Sequence, residues 1–553
     1  MTEIIETDVL VIGEGSAGQV AALAASEAGA HVTLLFNGQA SSTAISTGFL
    51  TYAVHEGFPQ DDVFANMSEV TGKGLCDLAL LKRLVEEAPA EMAAIIGKYA
   101  IPVDKAPRGF RVRRSTGMRG KDILDDSYGS DGAEDMTGLM MEFSSTHGTA
   151  LFSQLRRAVK ASAVKRVKGT ALSLDREGPS IWANIDGKPV KIAARAVIIA
   201  TGGMQGVYEF TDTPQNLLGD GQSMALEAGA ELVDMEFIQF YPLAVNEDGA
   251  PAIFLYPDYP STAKLVNSED EDLILKHMGP GQSALAALHN WDFLSFIIQS
   301  EIIAGREVFI DFRDTTDDEW APDSLTATFL AKHVPDFRAR PVRISPSSHY
   351  TIGGVRVDVD GQTAIPGVYA VGEVAGGLHG ANRHGGTALV EAMTYGAIAG
   401  RHAAANLRPH SNMSRSTDNP PSEKRQGTSS GNTADYLSKA RKITQRGLGP
   451  ARTEALLNAT LTDLKALGAE LEELGWDDLD GYAEVRRVAR AVRLAEVMCQ
   501  AMQRRKESRG THMRSDFPDS TEDWQRKQAV RLSEAGLEFH DIALVQEPVS
   551  EPT

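Results

Sequence analysis

Cysteine is scarce. The 553 residues contain only Cys76 and Cys499, and these stand far apart. With no Cys-x-x-Cys pair and no Cys/His cluster, the chain cannot by itself ligate an iron–sulfur cluster or a structural zinc by the usual spacings. A disulfide framework is excluded as well, and no metal site is expected. Long apolar runs are also missing, since no stretch of about 18 apolar residues is available to span a bilayer. The opening residues MTEIIETDVLVIG lack the basic start, apolar middle and small-residue cleavage site of a secretory signal. The expectation is a cytoplasmic protein with no direct membrane span, and attachment through a partner subunit stays open. Basic charge is in deficit, with 54 Lys and Arg against 75 Asp and Glu, for a formal charge of −21. That balance argues against a nucleic-acid partner, although net charge does not report local fields.

Glycine is plentiful, at 51 residues, and 42% of the chain is hydrophobic. The length suits roughly three to four domain-sized units. TDVLVIG reads as a short buried parallel strand, GEGSAG as a turn, QVAALAASEAGA as an alanine-rich helix and HVTLLF as a second strand, together a βαβ unit. Strand–turn patterns recur at ARAVIIATGG (194–203) and PGVYAVGEVAGG (366–377). A nucleotide-binding domain is therefore expected in two parts, residues 1–235 and 345–405. Residues 236–344 are rich in Pro, Tyr and Asp and read as a smaller inserted domain. The polar stretch 406–433 reads as a linker. Residues 434–553 read as a helical C-terminal domain and tail. There, Tyr482, Val485, Val488, Val492, Ala495, Cys499 and Met502 recur at helical spacing and predict one buried face. The arginines between them are expected on a solvated or subunit-facing side.

Gly13, Gly15 and Gly18 form a GxGxxG triplet between strand and helix. The first glycine makes the tight turn, the second admits a pyrophosphate, and the third lets helix and strand pack closely. The helix N-terminus then faces the phosphates. The second strand ends at Phe36 and Asn37, so the usual acidic ribose contact is absent or made differently. Three later features favour FAD over NAD. These are the turn Ala200-Thr201-Gly202-Gly203, Asp220 between two glycines ahead of a helix, and Glu373 just past a strand, where a carboxylate can accept from sugar or ribityl hydroxyls. Each alone reads equally well as a turn or a helix cap.

The segment GGLHGANRHGG (376–386) is too glycine-rich for a comfortable helix or strand. It is either a flexible surface loop or one that brings backbone close to a ligand and aims Arg383, His379 and His384 at it. Together with VIGEGSAG, LLGDGQSMALEAGAELVDMEFIQF, SSHYTIGGVRVD and RRKESRGTHMRSDFP, it makes the chain resemble a known family as far as about Trp524. That family is the flavoprotein subunit of succinate dehydrogenase and fumarate reductase, shared with L-aspartate oxidase. The resemblance implies an α/β fold: a split Rossmann-like FAD-binding domain, an inserted α+β capping domain over the substrate, and a C-terminal helical domain. It implies cofactor contacts from Gly13, Gly15, Ser16, Ala17 and Gly18, and from Asn37, Ser42, Thr43, Thr47 and Gly48. Further contacts are implied for Ala200, Thr201, Gly202, Asp220, Glu373 and His379, and for Thr387, Ala388 and Leu389. His379 either touches the flavin or braces the loop, and His384 either touches substrate or is structural.

Two departures modify what the resemblance implies. Membrane-bound relatives attach FAD to a histidine of an SHT stretch, whereas SSTAISTGF has Ser42 at that place, so noncovalent FAD is expected. A noncovalent flavin usually has a lower potential, which favours reduction, makes succinate oxidation harder, or goes with a different acceptor. The family holds a dicarboxylate with two histidines, a Thr-Glu pair and an arginine, and a cap arginine delivers the proton. Here His349 and Arg383 match, but Tyr241 replaces one histidine, Tyr256 and Pro257 fall near the Thr-Glu pair, and Trp291 falls near the cap arginine. Arg306 or Arg313 are the alternative cap arginines. Tyr241 is either an aromatic wall or a proton-transfer group. His349, Arg383 and Tyr241 are thus the candidate catalytic residues. The expected activity is hydride transfer between FAD and a carbon near a substrate carboxylate, by C–C dehydrogenation or double-bond reduction, with a substrate other than succinate or fumarate. An oxidase of the L-aspartate oxidase kind, and an electron-transfer flavoprotein subunit working with an iron–sulfur partner, are the alternatives. The terminal RRKESRG cluster either faces such a partner or pairs with the acidic surface.

Overall fold

The computed structural model describes residues 3–544, except 47–48, 51–59, 106–109, 113–138, 142–143, 146–147, 177, 253, 257, 285–289, 321, 323, 410–420, 422–423 and 428–430. The βαβ start forms as the sequence predicts. Strand Glu3–Ile12 pairs in parallel with Val32–Phe36 on one side and with Lys188–Ile199 on the other. The sheet continues outward to Lys165–Lys168 beyond Val32–Phe36. Val368–Ala370 adds in parallel to the end of Lys188–Ile199. The sheet therefore joins pieces of chain on both sides of the insertion. The inner ends of its central strands, Val9–Ile12, Val32–Leu35 and Val197–Ile199, are buried and almost wholly apolar, as covered parallel strands are. Helix Ser16–Glu27 packs against helix Thr387–Ala405, and the two backbones approach closely. A methyl group on Gly400 would stand 2.4 Å from the Ala21 carbonyl oxygen.

The inserted segment builds its own antiparallel sheet, in the order Ile238–Val245, Val342–Thr351, Val308–Asp311 and Lys264–Asn267. Helix Trp291–Ile303 covers it, and Leu294, Ile297 and Ile298 enter its core with Leu265, Ile310 and Phe312. Strands Ile238–Val245 and Val342–Thr351 connect this sheet back to the large domain, and their pairing is broken by two register shifts.

The C-terminal region is less purely helical than its sequence suggests. Helices Thr433–Gly447, Glu454–Glu472 and Leu479–Arg504 are followed by a hairpin, Arg526–Ser533 with Gly536–Ala543. The first hairpin strand pairs with Leu232–Val233, so the tail completes a five-stranded sheet rooted in the large domain. Along Leu479–Arg504 the apolar face is buried as expected, while Tyr482 lies partly buried against Trp476. Of the intervening arginines, Arg490 is buried and Arg486 and Arg487 are partly so, and all three turn onto the protein's own carboxylates. Arg486 and Arg490 both pair with Glu227, and Arg487 pairs with Asp220.

The RRKESRG cluster also turns inward. Arg505 is fully buried between Glu236 and Glu507, at 2.7 and 2.8 Å, and both carboxylates are fully buried too. Arg509 closes on Glu507 at 2.9 Å, and Arg514 is buried against Asp516 and Glu454. Lys527 pairs with the buried Asp234 at 2.6 Å and donates to the Gly377 carbonyl at 3.0 Å. Among the described residues no helix is long and apolar enough to cross a membrane.

Removing one member of a buried ion network leaves its partners charged without compensation. Arg505→Ala is expected to lower stability by about 3–5 kcal/mol, seen as a lower urea midpoint. An unchanged midpoint would contradict the network's structural role.

Candidate active site

The glycine triplet behaves as its spacing requires. Gly13 adopts φ +113°, and a methyl group there would stand 2.2 Å from the Ala200 carbonyl oxygen. A methyl on Gly18 would stand 2.0 Å from the Gly13 carbonyl oxygen, so this position locks turn to helix. Gly15 differs, since its nearest neighbours are the Ser41 and Thr43 hydroxyls at 3.5 and 3.7 Å. It is the open member of the triplet, with room for a ligand to approach the backbone. Ser16 N–H donates to the Thr43 hydroxyl at 3.0 Å. Ala17 and Gly18 lie in the first helical turn, whose N–H groups have no acceptor inside the helix. The buried Ser42 hydroxyl has no partner among the described residues. Thr47 and Gly48 lie outside the described residues.

At the second strand's end, the Arg166 guanidinium lies 4.2 Å over the Phe36 ring and pairs with Glu14. Asn37 folds back on its own turn and accepts from Gln39 N–H at 3.0 Å. Ala200, Thr201 and Gly202 follow the strand Lys188–Ile199, with Gly202 at φ +80°. The Thr201 hydroxyl is buried and unpartnered among the described residues. Asp220 opens helix Asp220–Ala228 in a pair with Arg487. Glu373 accepts from Thr351 N–H at 2.9 Å and from the Gln205 amide, and burial pushes its carboxyl up to about 7. Thr387, Ala388 and Leu389 form the first turn of Thr387–Ala405, with the Thr387 hydroxyl donating to the His384 carbonyl at 2.7 Å. Glycines that admit backbone approach, two helix N-termini and unpartnered hydroxyls fit a dinucleotide carrying a pyrophosphate and polyol, which is FAD.

Gly376–Gly386 is held from three sides. Ala381 N–H donates to the Gly72 carbonyl at 3.0 Å, Asp77 N–H to the Gly377 carbonyl at 2.9 Å, and Thr511 N–H to the Ala381 carbonyl at 3.0 Å. It is a braced loop, not a flexible one. His379 is buried with Nε2 at 2.8 Å from Glu391, which also accepts from the Tyr350 hydroxyl at 2.9 Å. Burial and the nearby carboxylate hold the Tyr350 phenol well above its usual value. Arg383 is buried over the Tyr350 ring, 4.5 Å from its centre. Its Nε and Nη2 donate to Gln239 Oε1 at 3.1 and 2.7 Å, and its Nη1 donates to the His384 carbonyl at 3.1 Å. It forms no ion pair among the described residues, and burial lowers its pKa. Burial pushes His384 down to about 4, so that it is neutral near pH 7, with Nδ1 at 3.0 Å from the Gly385 carbonyl.

His349 occupies the position where the cap strands slip. Gln239 faces Tyr350 and Phe240 faces Ser348, which leaves His349 as the extra residue of a bulge. A bulge re-aims one side chain. The His349 Nδ1 stands 2.9 Å from Asp212, and the ring is 23% exposed. Around it lie Trp291, Phe254 and Tyr241, with ring centres at 5.8, 6.1 and 6.2 Å. Tyr256 extends this wall at 4.9 Å from Phe254. The Tyr241 hydroxyl donates to the Leu255 carbonyl within the cap. Pro257 lies outside the described residues. Arg306 pairs with Glu301 and Arg313 with Asp311, both inside the capping segment.

Asp212, Gln239, Asp292, Glu391 and Gln205 belong to this site, and sequence reasoning assigned none of them. Gln239 stands inside MEFIQF, where nothing in the local pattern marks a role. Asp212 sits in EFTDTP, which reads as an ordinary turn. Asp292 accepts from Asn382 at 2.8 Å and so ties the cap helix Trp291–Ile303 to the Arg383 loop.

Residues 8–389 match the family described as FAD binding domain, and residues 438–551 match the one described as Fumarate reductase flavoprotein C-term. The chain is 30% identical to an L-aspartate oxidase of Streptomyces coelicolor, with 96% of this chain and 92% of that one covered. It is 27% identical to one subunit of the fumarate reductase (CoM/CoB) of Methanothermobacter marburgensis, with 95% and 97% covered. In fold it is similar to a quinol fumarate reductase chain of E. coli, at a TM-score of 0.80 and 22% identity over 99% of both chains. An adenylylsulfate reductase of Archaeoglobus fulgidus has a TM-score of 0.68 at 19% identity, with 99% of this chain and 97% of that one covered.

Gly18→Ala is expected to yield protein that purifies without the visible flavin band, and normal flavin content would refute the turn's role. A second expectation concerns pH. Burial lifts the Asp292 carboxyl from 3.8 to about 7, against the opposing charge of Lys73. The folded state keeps this proton while the unfolded chain releases it. Asp292's share of stability is thus present at low pH and is lost as pH rises from about 4 through about 7. The Tm of Asp292→Asn minus that of the wild type should rise across this window, and a constant difference would refute the assignment.

Proposed function

The chain belongs to the family of FAD-dependent oxidoreductases that includes L-aspartate oxidase and the fumarate reductase flavoprotein, and on that premise we propose that it acts on a carbon–carbon bond near the carboxylate of a substrate whose far end is apolar. Bound FAD supplies the two-electron chemistry, taking or giving hydride. The residues Gly13–Gly18, Ala200–Gly202, Glu373 and Thr387–Leu389 would hold it. Ser42 offers a hydroxyl where a histidyl link would need an imidazole, so the cofactor is held noncovalently. Acid precipitation should then release all the flavin into the supernatant.

One observation carries the substrate assignment. Arg383 is a buried cation with no carboxylate partner among the described residues, and it sits beside an aromatic wall. A guanidinium has five N–H donors, and three already bind Gln239 and His384. One N–H on each terminal nitrogen is left for a substrate carboxylate, and such charge-assisted bonds are the strong kind. Gln239 fixes the orientation of the guanidinium before substrate arrives, which is the preorganisation that catalysis needs. A second substrate carboxylate would meet Tyr241, Phe254, Trp291 and Tyr256. Burying an unpaired charge there costs several kcal/mol, which disfavours succinate, fumarate and L-aspartate. The aromatic wall excludes water and fits an aryl or alkyl end. His349 stands against the same aromatic wall.

A second reading rests on the 30% identity to an L-aspartate oxidase across nearly the whole chain. In that case an amino acid is oxidised, and oxygen uptake with peroxide release would mark it. Both cysteines are buried and far apart, so electrons are exchanged with something outside the chain. Oxygen, a soluble acceptor, or an iron–sulfur or other electron-transfer subunit would serve.

The test is a panel of carboxylic acids, with turnover read by flavin bleaching and recovery. Aryl and alkyl enoic acids or their saturated forms should turn over. Arg383→Lys should raise KM or abolish turnover, because an ammonium cannot reproduce the guanidinium's fork. Rapid turnover of succinate or fumarate, with no turnover of monocarboxylates, would overturn the substrate class.

A further inference from the structure

We propose that Asp212 and His349 form the proton-exchanging couple of this reaction, with His349 as the group that meets substrate and Asp212 as its positioning residue. The inference rests on the function proposed above and adds a route for the proton that the capping arginine would otherwise carry.

The couple is built by the backbone. Ser348 N–H donates to the Phe210 carbonyl at 3.1 Å, and the Thr211 hydroxyl donates to the Ser348 carbonyl at 2.7 Å. Thr211 and Ser348 form a parallel bridge. Asp212 and His349 each follow a bridged residue, so two adjacent turns of chain present them to one another. The Gln205 amide donates to the His349 carbonyl at 3.1 Å and fixes the bulge. Asp212 is almost completely buried, and one of its oxygens has no partner among the described residues. A carboxylate buried in that way is costly unless it is paired with a proton donor. Its donor here is the His349 Nδ1.

That arrangement sets what the other ring nitrogen does. With Nδ1–H directed at Asp212, a neutral imidazole presents a lone pair at Nε2, so it accepts a proton and cannot donate to a carboxylate. Once protonated at Nε2, the ring becomes an acid whose charge Asp212 balances. His349 Nε2 has no hydrogen-bond partner among the described residues, and the ring is partly exposed within the aromatic wall. Tyr241, the other candidate, spends its hydroxyl on the Leu255 carbonyl. Trp291 carries no exchangeable acid.

In the dehydrogenation direction, one C–H bond breaks and its proton goes to His349 Nε2. The neighbouring C–H bond gives its hydrogen, with both electrons, to FAD. The electron pair left by the first bond becomes the new π bond. The reverse direction returns the proton from Nε2 and the hydride from reduced FAD. Arg383 holds the carboxylate throughout.

The test uses the full chain loaded with FAD, 3-phenylpropanoate and 3-phenylpropenoate as probes, and the variants Asp212→Asn, His349→Gln and Arg383→Lys. Asp212→Asn is expected to lower kcat by ~100-fold or more while KM stays within about threefold. Carboxylate titrations should perturb its flavin absorbance as in the wild type. In 15N spectra the His349 resonances, identified by their loss in His349→Gln, should report the Nδ1–H tautomer in the wild type and a different tautomer mixture in Asp212→Asn. The proposal falls if Asp212→Asn keeps kcat within about threefold, or if kcat falls while the His349 tautomer is unchanged. A different result defeats the function on which it rests: no carboxylate of the panel perturbing wild-type flavin, or a perturbation that survives Arg383→Lys.

Discussion

Glu236 holds its carboxylate entirely out of water, and Arg505 and Gln528 close on it from the C-terminal region at 2.7 and 2.9 Å. Its backbone carbonyl accepts from the buried Arg452 at 3.0 Å. A buried charge that lost these partners would be expensive, so the chain around Glu236 has one low-energy arrangement. That chain leads directly into strand Ile238–Val245, where Gln239 grips Arg383. Lys527 performs the same service two residues earlier, since it joins Asp234 to the Gly377 carbonyl at the root of the Arg383 loop. The C-terminal region therefore braces both the strand that carries Gln239 and the loop that carries Arg383.

The site itself divides by polarity. On the large-domain side are a caged cation, a buried His379–Glu391–Tyr350 cluster and glycine turns that leave room for a dinucleotide. On the cap side are aromatic rings. The two sides meet at Asn382–Asp292, where the glycine-rich loop touches the cap helix, and at His349, on a strand that connects the two domains. On the function proposed above, a cation on one side and apolar surface on the other would select a molecule with one charged end. The identity to an L-aspartate oxidase extends over nearly the whole chain, yet apart from Ser42 the departures from the family pattern, Tyr241, Tyr256, Pro257 and Trp291, fall where the resemblance implies contacts to a second carboxylate. Such change at one end of a pocket would alter which substrate fits while leaving cofactor and fold in place.

Much of the fold was legible because it rests on local rules. GxGxxG between a β-branched run and an alanine-rich stretch specifies strand, turn and helix, and the steric reason is visible in the 2.0 Å gap that Gly18 leaves unfilled. The apolar face of Leu479–Arg504 follows from spacing alone. What failed were statements about where charges go. The arginines of that helix and of RRKESRG read as surface groups, because Arg is usually exposed, but their carboxylate partners include Glu227 and Glu236, on segments far away in sequence. The terminal hairpin was missed because its strand partner, Leu232–Val233, belongs to another domain.

Residue types in short order determined the nucleotide-binding architecture, the presence of an arginine in a glycine-rich loop, and the aromatic side chains that stand where the family pattern has polar ones. Only the tertiary structure decided which groups work together. Asp212 has no sequence signal because its meaning comes from the neighbouring bridge of Thr211 to Ser348, across 137 residues. His349 gains its direction from a bulge that exists only when two strands pair out of step. Spacing along a chain encodes turns and faces. Proton routes and charge balance depend on distances through space, and those are set when separated segments pack.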